Sequence, residues 1–322
     1  MSEILLEVKG LKKHFPIKSG LLRRTVGQVK AVDGVSFTLN EGETLGIVGE
    51  SGCGKSTMGR MVMRVLEPTE GTILLYGQDI TRMSPGGLRK LRKDFQMIFQ
   101  DPYSSLNQRM LIRDLIAEPF RIHGQLSSAD IDKEVIRLLE TVGLRATDLF
   151  RHPHEFSGGQ RQRIAIARAL SLNPKLIVAD EAVSALDVSI QSQILNLMVD
   201  LKRQYHLSYI FISHNLAVVK HISDRVGVMY LGHMVEIGLK KSLFHKPLHP
   251  YTEALLSAAP EPKRNSTRER IILQGDVPSP ANPPHGCPFH TRCPKAFDRC
   301  SKERPILKEV LPDHQVACFL YE

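Results

Sequence analysis

The chain has 322 residues, with 43 Lys and Arg against 34 Asp and Glu for a formal net charge of +9, and is long enough for one large domain or two small ones with substantial cores. Its 42% hydrophobic and 24% charged residues are ordinary for a globular protein: a peptide hormone or a minimal disulfide scaffold is excluded, and no window approaches the roughly 18 apolar residues of a membrane span. The start, MSEILLEVKG, lacks a basic segment followed by an apolar core, so a cytosolic chain without a secretory signal is expected. The basic excess suits nucleic acid, anionic lipid or phosphate ligands and does not choose between them.

Residues 5–8 and 35–39 read as strands, and the basic stretch between them, KSGLLRRTVGQVK, is expected to be a loop. Residues 44–48 form a short apolar run ending in a glycine-rich turn, and 57–66 continue with Gly59 as the one interruption, which gives strand, loop, helix. Between about 102 and 156 the strand signals stop. Ile131, Val135, Leu138, Leu139 and Val142 recur at helical spacing, Ser127 with Asp130 offers a capping box and Gly143 a stop, so a helical insert interrupts the α/β pattern. Strand signals resume at 176–180 and 208–213, separated by a helical stretch over about 188–204, and again at 226–231; a mostly parallel sheet is expected. A helix near 251–257 precedes a proline-rich linker over 260–285. Four of the five cysteines, Cys287, Cys293, Cys300 and Cys318, follow that linker, and in a cytosolic chain such clustering suggests a metal site before disulfides.

GESGCGKST supplies Gly49, Glu50, Ser51, Gly52, Cys53, Gly54, Lys55, Ser56 and Thr57 in the pattern GxxxxGK[ST], between an expected strand and an expected helix. Glycines let successive backbone N–H groups converge on phosphate oxygens, and the helix N-terminus adds the positive end of its dipole. Lys55 brings charge to the β- and γ-phosphates and Ser56 a hydroxyl to Mg²⁺, so ATP and Mg²⁺ are the expected ligands. Such a site also needs a carboxylate for the ion and a group to polarise the attacking water. The apolar run LIVADE ends in Asp180 and Glu181, which suit those two roles.

FSGGQRQRIAIARAL, residues 156–170, precedes the Asp-Glu strand and resembles the signature segment of ATP-binding cassette (ABC) proteins. The resemblance implies that Ser157, Gly158, Gly159 and Gln160 open a helix toward a γ-phosphate. Gln100 in FQDP resembles the Q-loop, Asp187 in SALD the D-loop and His214 the switch histidine, while Phe15 would stack on adenine. By this resemblance Glu181, His214, Gln100 and Lys55 are catalytic, and Ser56, Gln100 and Asp180 serve Mg²⁺. Ala182 stands where the family usually has Pro, and Asn215 where it has Asp; neither removes a ligand, so hydrolysis is expected to persist. In the family the signature of one subunit closes over the nucleotide of another, which implies dimerisation and a helical insert that passes the motion to a membrane partner.

The implied fold is α/β: a P-loop NTPase (RecA-like) core with an N-terminal antiparallel β subdomain, an α-helical ABC subdomain over about 101–160 and a small C-terminal Cys-rich extension. The nucleotide-binding domain would cover 1–258 and the extension 259–322. HKPLHPYTEALLSAAP and PPHGCPFHTRCPKAFDRC, with Cys318, are similar to the C-terminal extension of oligopeptide, dipeptide and nickel importer ATPase subunits. RVLEPTEG and NLMVDL resemble most the F-type subunit, which pairs with a D-type ATPase paralogue.

The function so implied is ATPase subunit of a di- or oligopeptide importer at the cytoplasmic face of the cell membrane, with two transmembrane permeases and, indirectly, an extracytoplasmic solute-binding protein. Import of nickel or another small solute is the alternative within the family. A soluble ABC ATPase acting on nucleic acid or ribosomes is the rival of another class, although such proteins usually carry two cassettes or large inserted domains and no nucleic acid is expected here. Chemically, four thiolates spaced x5, x6 and x17 could hold a 4Fe-4S cluster or Zn²⁺, or stay free or disulfide-linked; resemblance to the importer tails favours iron-sulfur. His285, His290 and His314 are expected at the surface.

Overall fold

Three five-residue runs, Thr44–Val48, Leu176–Asp180 and Ser208–Ile212, are buried at every position, the pattern of parallel strands covered on both faces. The computed structural model describes residues 3–20, 24–124, 126–258 and 271–322. Two compact units emerge, one built on Arg82–Ile212 and the other from Ile4–Leu39, Thr44–Thr81 and Ser213–Glu322.

In the unit built on Arg82–Ile212, the strands Phe95–Ile98, Leu176–Asp180 and Ser208–Ile212 run parallel, with Ile177 opposite both Gln96 and Tyr209. The helical insert contains Ile112–His123 and Ser128–Thr141, followed by short 3-10 turns and the helix Gly158–Leu170. Ile131, Val135, Leu138, Leu139 and Val142 are all buried, as their spacing requires. Ser127 Oγ accepts the Asp130 N–H at 3.3 Å, and Gly143 takes φ +75° just past the helix end, so the expected start and stop signals operate. Arg113 forks onto Asp132 at 2.6 and 2.9 Å, and Arg168 reaches Glu118 at 2.6 Å. Solvent screens these exposed pairs, but they tie three helices of this unit to one another.

In the other unit, Thr44–Val48 pairs in parallel with Arg225–Tyr230, His233–Leu239 folds back antiparallel on the latter, and a C-terminal hairpin of Lys308–Leu311 and His314–Val316 extends that edge. The sheet expected to be mostly parallel is therefore mixed. A second sheet takes the order Arg24–Asn40, Ile4–Ser19, Glu70–Leu75, Gln78–Asp79. Of the basic connector, expected as a loop, residues 21–23 lie outside the described residues, while Lys18, Ser19 and residues 24–30 belong instead to these two long strands. A two-stranded ribbon satisfies its backbone by cross-strand bonds and needs no core behind its exposed side chains, which is why the polar composition misled. Of the expected linker, 260–270 lie outside the described residues, and 271–285 form neither helix nor strand. No helix among the described residues is long and apolar enough to cross a membrane.

His314, expected at the surface, is fully buried. The register that pairs it with Gly238 brings its Nε2 to 2.7 Å from Glu236 Oε1. The Glu236 carboxylate also accepts the N–H groups of Leu248 and His249 at 2.8 and 2.9 Å, so this buried acid has the partners its desolvation demands.

Candidate functional site

Beyond the buried strand Thr44–Val48 the chain turns on three glycines, Gly49, Gly52 and Gly54, at φ +155°, +79° and +101°. A Cβ at Gly54 would lie 2.1 Å from the Ala31 carbonyl oxygen, so only glycine fits there. Gly54 is also the N-cap of the helix Lys55–Val62, and that end has no side-chain cap and no acidic residue in its first turn. The orphan N–H groups of such an end call for a partner, and the dipole favours an anionic one. Lys55 is 4% exposed; its ammonium donates to the carbonyl oxygens of Gly49 at 2.8 Å and Glu50 at 2.9 Å and lies 3.7 Å from Cys53 Sγ. Ser56 and Thr57 are half-buried on the first turn, while Ser51 and Gly52 are exposed. This donor set, a lysine and main-chain N–H groups at a helix start, fits the phosphates of a nucleotide. Burial pushes the Cys53 thiol up against the opposing charge of Lys55, so Cys53 is a packing residue rather than a reactive one.

Elsewhere in the same unit, Phe15 is exposed on the strand Ile4–Ser19 with Lys13 Nζ 5.2 Å from its ring centre. His214 is exposed. Asn215 caps the helix Leu216–Ile222, its Oδ1 accepting the Ala217 N–H at 2.9 Å. Asn and Asp serve equally as N-caps, so this departure from the family's usual Asp leaves the local turn intact.

In the unit built on Arg82–Ile212, Asp180 is buried at the end of its strand. Glu181 follows at φ +48°, a left-handed conformation that costs a non-glycine residue about 1 kcal/mol or more. Main-chain bonds hold it there: its N–H donates to Ile212 O at 3.0 Å, and its carbonyl accepts from Ser184 N and Oγ, both at 3.0 Å. Gln100 Nε2 donates to Glu181 Oε2 at 2.8 Å, which brings together the Q-loop candidate and the water-polarising candidate. Ala182 is buried, and Asp187 caps the helix Val188–Tyr205 without a side-chain bond. Ser157 caps Gly158–Leu170 in a reciprocal box: its Oγ accepts the Gln160 N–H at 3.4 Å, and Gln160 Oε1 accepts the Ser157 N–H at 3.0 Å. The Ser157 hydroxyl proton and the N–H groups of Gly158 and Gly159 take no part in that box.

Sequence reasoning missed a contact behind the phosphate-binding candidate. Arg292 Nη1 donates to Glu50 Oε2 at 2.9 Å, with Nη2 3.4 Å from Oε1, and the Glu50 N–H donates to Tyr251 Oη at 2.9 Å. The signal available was one arginine set among the cysteines in HTRCP.

Residues 32–184 match the ABC transporter family and residues 235–300 the C-terminal region of oligopeptide/dipeptide transporters. The oligopeptide transport ATP-binding protein AppF of Bacillus subtilis is 59% identical over 99% of this chain and 98% of its own length. OppF of Salmonella typhimurium, also an oligopeptide transport ATP-binding protein, is 53% identical over 98% and 96%. Among solved structures, the dimeric post-hydrolysis state of the ATP-binding cassette MJ0796 bound to ADP and Pi superposes with a TM-score of 0.65 at 26% identity, over 73% of this chain and 98% of that one.

Two expectations are overturned. Cys287, Cys293, Cys300 and Cys318 do line one small pocket, as unbridged thiols, but no group of three or more His, Cys, Asp or Glu among the described residues is arranged to hold a metal ion. Burial drives the Cys287 thiol up to about 11 and raises those of Cys293 and Cys318. The relatives are described as ATP-binding proteins. The 4Fe-4S cluster, and Zn²⁺ with it, is therefore withdrawn, and these cysteines pack as small apolar groups. The expected D-type paralogue is withdrawn as well: the matches describe one cassette with one C-terminal region, and the relatives are each an ATP-binding protein of this F kind, an arrangement different from the expected pair.

Proposed function

The chain belongs to the ABC transporter family, and on that premise we propose that it is the ATP-binding and ATP-hydrolysing subunit of an oligopeptide or dipeptide importer. It works as a peripheral subunit at the cytoplasmic face of the membrane, alongside transmembrane permeases. The observation that carries this reading is the open N-terminus of the helix Lys55–Val62, with a buried lysine folded over the loop before it.

On ATP binding, the Lys55 ammonium exchanges the loop carbonyls for the β- and γ-phosphates, while N–H groups from Gly52 to Thr57 surround their oxygens. Phe15 stacks on the adenine. Ser56, Asp180 and Gln100 would hold Mg²⁺, which neutralises charge on the phosphates. Glu181 accepts a hydrogen bond from the attacking water, its carboxylate oriented by Gln100. His214 donates to the γ-phosphate as charge develops. The Ser157 hydroxyl proton and the first amides of its helix serve a nucleotide held by another cassette, in keeping with the dimer described for MJ0796. The cassette core over 1–258 and the extension over 259–322 act as parts of this one subunit.

Proteoliposomes that carry the chain with its permeases and binding protein should accumulate a labelled tripeptide only when ATP is supplied on the cytoplasmic side. Accumulation that does not depend on ATP, or ATP-driven uptake of a metal ion instead of peptide, would displace this reading.

A further inference from the structure

The phosphate-binding loop is braced by the C-terminal segment of its own chain. Glu50, the second residue of the loop, is held at two points: its N–H by the Tyr251 hydroxyl oxygen at 2.9 Å and its carboxylate by the two Arg292 nitrogens at 2.9 and 3.4 Å. Its carbonyl in turn receives the Lys55 ammonium at 2.9 Å. Two contacts therefore connect the cysteine-rich tail to the lysine that meets the phosphates.

The brace is built into the fold. Arg292 ends a one-turn 3-10 helix, His290–Arg292, and its side chain is only 9% exposed. The preceding Phe289 is fully buried and packs edge-on against Tyr230 and at a tilt to Tyr251, at ring distances of 5.2 and 5.4 Å; Tyr230 and Tyr251 are themselves 4.7 Å apart. The backbone of this segment is tied to itself by Cys287 N–H to Cys300 O at 2.8 Å. Arg292 Nε is buried without a hydrogen-bond partner among the described residues, so the guanidinium spends its donors on Glu50 and, at 3.5 Å, on Tyr230 Oη. Burial works against the charge of Arg292, but Glu50 and Tyr230 outweigh it and hold the guanidinium protonated above its ordinary range.

A triphosphate carries several negative charges, and a bare carboxylate on the loop that receives it repels it. We propose that Arg292 is a positioning residue of the nucleotide site, which neutralises Glu50 and fixes the start of the phosphate loop in the shape that accepts ATP. The tail is then a working part of the ATP site. This inference rests on the proposal that the Gly49–Thr57 loop binds ATP.

Titration of the full chain with a fluorescent ATP analogue, at low salt and with melting temperatures as controls, tests it. Arg292→Gln should weaken binding about tenfold, because it leaves a partly buried carboxylate uncompensated. Arg292→Lys keeps the charge without the fork and should lie within about threefold of the unaltered chain. Adding Glu50→Gln to Arg292→Gln should recover most of the loss, and rising salt should shrink it. Lys295→Gln, which removes an exposed tail ion pair with Glu253 away from the loop, should change nothing. Equal affinity for Arg292→Gln and the unaltered chain, or no recovery in the double variant at an unchanged melting temperature, overturns the inference. Should Arg292→Gln not fold, a loss of affinity of about tenfold or more in the folded Arg292→Lys would overturn it. An unaltered chain that does not bind the analogue would instead remove the ATP reading on which it depends.

Discussion

Two helices in this chain begin at glycine-rich motifs, and their N-termini are finished in opposite ways. Lys55–Val62 starts at a left-handed glycine with no capping side chain and no acid in its first turn, while Gly158–Leu170 is closed by Ser157 and Gln160 bonding reciprocally. An uncapped end costs helix stability unless a ligand supplies the missing acceptors, so the first is arranged for an anion that arrives. The second is complete as it stands, and only the unused hydrogens of its box remain for a phosphate. A glycine-rich helix start is therefore no single kind of site, and the cap decides which it is.

The contrast can be broken most severely where chemistry is expected to depend on it. Glu181→Gln should lower ATP turnover by about 10²–10⁴-fold, the scale of a lost general base, while the chain still binds nucleotide; retained phosphate release would remove Glu181 from its role. Lys55→Ala, at the open end, should lower turnover by about 10²–10³-fold and, unlike Glu181→Gln, weaken binding in the same titration. If the two variants behave alike, the open end has no special part in capture.

Acid should loosen the support behind that end. Burial, with Glu236 opposing, pushes His249 down to about 4, and burial together with Arg304 does the same to His233; His249 Nδ1 accepts the Tyr251 N–H at 3.1 Å. An unfolded histidine titrates near 6.5, so between pH 6.5 and 4 the unfolded chain binds protons that the folded chain refuses. Stability from these residues is complete above pH 6.5 and is lost as pH falls, by about 1.4 kcal/mol per unit for each histidine inside the window. Melting temperature followed from pH 7 to 4.5 should fall accordingly, and His249→Gln should flatten the curve. At the closed end, Ser157→Ala should cost about 1 kcal/mol of stability through the lost cap; chemical denaturation showing no change would mean that the 3.4 Å bond contributes nothing.

Most of the candidate site was legible because its residues act through local spacing. The GxxxxGK[ST] run, the apolar strand that ends in Asp180 and Glu181, and the buried face from Ile131 to Val142 each announce themselves within a dozen residues, and their burial agrees. What escaped depends on contacts that leave no period in the chain. Arg292 and Glu50 stand 242 positions apart, and His314 owes its burial to the strand it pairs with rather than to its neighbours. The long basic strands looked like a loop because a strand without a core beneath it has no apolar alternation to show. The four cysteines misled in the other direction: they line one small pocket, yet no group of three or more His, Cys, Asp or Glu among the described residues is arranged to hold a metal ion.

The one severe collision at position 54, where φ is already +101°, is with the main chain: the carbonyl oxygen of Ala31 at 2.1 Å, with its carbonyl carbon next at 3.3 Å. Main-chain atoms do not change with residue type, so substitution at Ala31 would leave the shape of the phosphate loop untouched as long as the strand keeps its path. A mutational scan would score that position as tolerant while its backbone goes on moulding the loop. Some of what determines nucleotide capture here is invisible to any survey that reads side chains alone.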